Sequence, residues 1–179
     1  DHLRRNGVRA EVWGGAAVLL LLPLLAMQFT DEVDWNAFDF LVFGLMLAFA
    51  CGLNEVACRL SGSLVYRLAA AVAIGTGFLV TWANLAVGII GNESEPVNLA
   101  FFGVLALGLV GTAVVRARAA GMARVLLVLA VAQVGVSVVA WLAGLGATPP
   151  VAVVFVLGWL VAAWLFRVAA RAESRTAVV

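Results

Sequence analysis

The 179-residue chain is 65% hydrophobic and 12% charged, with a mean hydropathy of +1.12 and a formal net charge of +1. That composition excludes an ordinary soluble domain. The basic ends hold only a few arginines, which point to contact with lipid headgroups and away from nucleic-acid binding.

A hydrocarbon core about 30 Å thick needs roughly 20 mostly apolar residues per spanning helix. Runs of that kind lie at about 12–29, 36–59, 65–90, 97–116, 121–145 and 150–168, and together predict an all-α, polytopic membrane protein of six transmembrane helices in one domain. They are continuously apolar and rich in Ala and Leu, without the strict alternation of a membrane β-barrel. The first run follows Arg4, Arg5 and Arg9, so a signal peptide is its rival reading, but no clean small-x-small cleavage site follows. Pro23 inside it predicts a kink. Before the second run come Asp31, Glu32 and Asp34, and before the fourth comes "GNESEP". In that segment Ser94 suits a helix cap, Glu95 the first turn and Pro96 an early position where its missing N–H matters little. The sixth run opens after the uncharged "GLGATPP".

Charge supplies the orientation. The chain has no lysine, and its arginines are Arg4, Arg5, Arg9, Arg59, Arg67, Arg116, Arg118, Arg124, Arg167, Arg171 and Arg175. Six spans put all of them on one side and Glu93 and Glu95 on the other. By the positive-inside rule both termini are then cytoplasmic, and one span more or fewer would flip part of the set.

Sliding the sequence against itself by 59 residues lays 39–82 over 98–141 without a gap. Phe43 and Gly44 fall on Phe102 and Gly103, Gly52 on Gly111, Arg59 on Arg118, Gly62 on Gly121 and Trp82 on Trp141. These coincidences predict a parallel two-helix hairpin repeat, helices two and three recurring as four and five about an axis along the membrane normal. Asn98 takes the place of Asp39. Recurring residues read as architecture, with the glycines for close backbone approach and Arg and Trp as interfacial anchors.

Polar residues found in one copy only are the candidates for function: Glu55, Asn84 and Gln133, with Asn54 beside Glu55 and Asp39 as a borderline case. A charge at the bilayer midplane is unfavourable by about 2.5–3.5 kcal/mol, which makes an intramembrane carboxylate informative. Glu55 precedes Arg59 by four residues, the spacing of a helix ion pair; it is either a snorkelling partner of that arginine or a proton- or cation-binding group. Asp39 lies in a first helical turn and favours the helix N-terminus. Asn84 and Gln133 sit deeper and are expected to bridge helices through side-chain hydrogen bonds.

Much chemistry is disfavoured. Without lysine there is no retinal Schiff base and no P-loop lysine. The lone histidine is His2, which argues against bis-histidine haem, histidine-ligated zinc and a Ser-His relay. Cys51 and Cys58 stand about 10.5 Å apart along one helix, too far to bridge each other. No catalytic residue, metal ligand or cofactor is therefore expected.

The segments "WANLAVGIIGNESEPVNL", 82–99, and "RARAAGMAR", 116–124, resemble a group of small multi-pass bacterial membrane proteins without an assigned activity. The resemblance runs from about Met27 to Leu145 and implies a bacterial inner-membrane location, but it carries no catalytic residue across. The expected function is a non-enzymatic structural or accessory role in the lipid bilayer, as a homo-oligomer or with other membrane-protein subunits. The alternative is a small transporter or channel lined by Glu55, Asn84 and Gln133 at the hairpin interface.

Overall fold

The computed structural model describes residues 2–91, 94–145 and 150–176, with side chains from Ala10 to Arg175 within those limits. Glu93, residues 146–149 and the side chains of Arg4, Arg5 and Arg9 lie outside the described set. Among the described residues the regular structure is wholly helical: α1 His2–Ala26, α2 Ala37–Leu60, α3 Leu64–Ala86, a single 3-10 turn Pro96–Asn98, α4 Leu99–Val114, α5 Ala119–Leu142 and α6 Pro150–Thr176. Five of these helices are long and apolar enough to cross a membrane, α2 to α6, with α4 counted from Pro96. Of α1, the stretch with described side chains, Ala10–Ala26, is a shorter apolar helix.

Boundaries depart from the hydropathy runs where apolar sequence and helix part company. The third run extends to residue 90, yet α3 stops at Ala86 because Gly88 and then Gly91 take left-handed backbone, φ 73° and 67°. Ile89 and Ile90 between them are 1% exposed and enter the core from a loop. Conversely, α6 outlasts its apolar stretch and continues through "RVAARAESR", residues with good helix propensity and little hydropathy.

The chain forms two compact units, Asp1–Val56 and Ala57–Val179. In the first, α1 and the start of α2 run antiparallel. The Cys51 thiol donates to the Val12 carbonyl at 4.0 Å, and a Cβ on Gly44 would meet Leu20 at 3.8 Å. Asn36 caps α2 by accepting from the backbone N–H of Phe38 (2.7 Å) and Asp39 (3.2 Å). Trp35 lays its ring edge-on to Phe40 and Phe43, with centroids 5.2 and 5.3 Å away.

In the second unit α6 packs along both α3 and α5, and α4 packs chiefly on α5. The seams are built from small residues: Ala69, Ala162, Ala163 and Ala169 are all at most 1% exposed. Such surfaces let helices approach closely in a medium where lipid chains match the apolarity of leucine and dispersion contacts must hold the bundle. Gly158 of α6 lies against the Thr76 hydroxyl of α3, so close that a Cβ there would collide with it. At the α4–α5 turn a Cβ on Gly121 would stand 2.5 Å from Val115 Cβ. Tyr66 ties one end together: its hydroxyl donates to the Ala117 carbonyl at 2.7 Å and its ring meets Phe166 edge-on at 5.1 Å.

Candidate functional site

Each polar residue singled out by the sequence has a distinct local setting. Asp39 closes a reciprocal cap, its carboxylate accepting the Asn36 N–H at 2.9 Å while Asn36 accepts the Asp39 N–H in return. That arrangement satisfies helix-end donors and accounts for an acidic residue here without a ligand. Glu55 is half-buried near the boundary of the first unit, with Asn54 half-buried beside it.

Asn84 and Gln133 are the deep amides of the second unit, 4% and 0% exposed. The Trp159 indole N–H of α6 donates to Gln133 Oε1 of α5 at 2.6 Å, so Gln133 bridges two helices as expected from its depth. Asn84 does not bridge. Its Nδ2 donates to Val80 O at 2.8 Å, one turn back on its own helix, because a short side chain reaches the preceding turn more readily than a neighbouring helix. One atom of each amide, Asn84 Oδ1 and Gln133 Nε2, is buried without a partner. The two amides make no hydrogen bond to one another.

Asn98 organises the loop between α3 and α4. Its Oδ1 accepts from the N–H of Ile89 (3.1 Å) and Ile90 (3.0 Å), and its Nδ2 donates to Ile90 O at 3.0 Å. A side chain thus supplies the partners that a helix would have given to this buried backbone. Ser94 is not the cap expected of it: Glu95 occupies the cap position of the 3-10 turn, and neither Glu95 nor Asn98 caps by a side-chain hydrogen bond. The signal for the Asn98 role was present in "GIIGNESEPVN", where two glycines bracket two isoleucines ahead of an asparagine, but apolarity assigned the isoleucines to the helix.

Arg67 is also used internally, its guanidinium donating to the carbonyls of Ser61 (2.9 Å) and Cys58 (3.2 Å) and closing the end of α2. Among the described residues no three of His, Cys, Asp and Glu converge to hold a metal ion. In comparisons with family models, curated proteins and solved structures, nothing matches the chain.

Proposed function

We propose that the chain is a non-enzymatic structural or accessory protein of the bacterial inner membrane, spanning six times with both termini cytoplasmic and assembling with copies of itself or with a larger membrane complex. The observation that carries this reading is the use to which deep polar side chains are put. Gln133, with no exposed surface, holds α5 to α6, and Asn98 locks a loop. These groups serve the bundle and present nothing to a substrate in water. Location and orientation rest on the one-sided arginines and on the resemblance of residues 82–99 and 116–124 to small multi-pass bacterial proteins. The hairpin repeat belongs to the same proposal, resting on the 59-residue self-match.

One observation favours a second reading, a small transporter or channel using Glu55, Asn84 and Gln133. Buried amide atoms without partners are uncommon, and Asn84 Oδ1 and Gln133 Nε2 are two in one bundle. Purification from the native membrane in lipid particles, followed by identification of co-purifying chains and the mass of the particle, separates the two. A stable complex or homo-oligomer supports the accessory role. A monomer that conducts protons or ions in liposomes, with the flux lost in Glu55→Gln, would replace it by the transporter.

A further inference from the structure

The α4–α5 turn carries an arginine cleft that the bundle itself does not use. It is an open cleft of about 500 Å³ lined by Val114, Val115, Ala120 and Gly121 together with Arg116, Arg118 and Arg124. All three arginines are exposed, and none of their guanidiniums has a hydrogen-bond or ion-pair partner among the described residues. The lining contains no carboxylate to neutralise them. Three exposed cations around one cleft create a positive potential that favours an anion there.

The turn has a backbone conformation that brings these side chains to one cleft. Arg116 and Ala117 both take left-handed backbone, φ 50° and 52°, and Ala117 N donates to Thr112 O at 3.0 Å while Ala117 O accepts the Tyr66 hydroxyl. Arg118 then occupies the cap position of α5 without a side-chain cap hydrogen bond.

The apolar surroundings narrow the kind of anion. Leu107, Val110 and Val114 recur at three- and four-residue spacing on α4 and are 45%, 61% and 75% exposed. This stripe runs along an apolar helix of spanning length and ends in the cleft, since Val114 lines it. A cationic cleft at the end of an apolar track fits a molecule with a phosphate at one end and hydrocarbon at the other. We propose that the cleft binds the phosphate of an anionic glycerophospholipid, with the guanidiniums of Arg116, Arg118 and Arg124 on the headgroup and an acyl chain along Leu107, Val110 and Val114. The site requires the helices to lie in a bilayer and is independent of whether the chain is an accessory protein or a transporter.

The test uses the full chain in a neutral detergent, titrated with phosphatidylglycerol or phosphatidylcholine, with retained lipid counted by native mass spectrometry. The parent should retain phosphatidylglycerol in preference, and each Arg→Gln change at 116, 118 or 124 should weaken retention about fivefold. A control with a larger charge loss elsewhere, Arg167→Gln with Arg171→Gln and Arg175→Gln combined, should retain the lipid. Equal loss in the control, or no preference between the two lipids in the parent, overturns the proposal. Radiolabelled inorganic phosphate and pyrophosphate form the other arm. Binding of either that phosphatidylglycerol does not displace would make the ligand a soluble anion and overturn the lipid assignment. Should a variant misfold, the parent still decides: phosphatidylglycerol retention that does not fall between low and high salt excludes a guanidinium–phosphate contact.

Discussion

Replacing Asn98 by alanine removes the acceptor shared by two buried backbone N–H groups and the donor to one buried carbonyl, those of Ile89 and Ile90. The isoleucines are 1% exposed, so water does not readily stand in for the lost side chain. Each orphaned group is unfavourable by about 1–3 kcal/mol, and the lower value applies where a loop can relax; three groups then give about 3 kcal/mol. For a chain of this size about 2–4 °C of melting temperature accompanies each kcal/mol, which makes the expected fall about 6–12 °C. Thermal unfolding in detergent, followed by circular dichroism, measures it. Val87→Ala on the same loop, at a side chain 64% exposed, should change stability by less than about 0.5 kcal/mol. If Asn98→Ala melts with the parent, the loop is not held by this side chain and its role as a lock is wrong.

Further expectations concern helix contacts and topology. Gly121→Ala should destabilise by about 1–3 kcal/mol because the new methyl meets Val115 Cβ, which is fixed to its backbone. Gly108→Ala should be milder, since the nearest atom is the Leu129 Cδ1 methyl at 2.8 Å, which can swing away; equal effects in denaturant melts would contradict that distinction. A double-mutant cycle of Gln133→Met and Trp159→Phe should yield a coupling of about 0.6–1.7 kcal/mol in mixed-micelle unfolding, and zero coupling would mean the 2.6 Å bond contributes nothing. With the native cysteines replaced by alanine, a cysteine at Ser94 should react with an impermeant thiol reagent on intact spheroplasts while one at Ala120 is protected. The reverse pattern would invert the proposed orientation.

The helical class and the long apolar helices were legible because spanning a bilayer imposes a length on the sequence that few other structures require. Polar contacts were legible only where one choice of partner dominated. The Gln133 bridge followed from its depth in an apolar helix, whereas Asn84 had an equally good acceptor one turn away on its own helix. Ile89 and Ile90 misled because hydropathy cannot distinguish a residue buried in a helix from one buried in a loop; the glycines at 88 and 91 carry that information through backbone conformation. The arginine cleft was invisible for a related reason. Charge counting placed Arg116, Arg118 and Arg124 at one connection, but their convergence depends on left-handed backbone at two non-glycine residues.

Because α6 packs along both α3 and α5, the second unit depends on a helix synthesised after the two that it holds. Until Trp159 emerges, Gln133 Oε1 has no indole to bond, and in a bilayer it would face hydrocarbon. Burying an unpaired amide in such a medium is unfavourable by several kcal/mol, so the incomplete bundle is loose and open to surveillance proteases. Translation that stops before Pro150 would leave α3 and α5 in that state, and the arrival of α6 is the event that closes the seam between them.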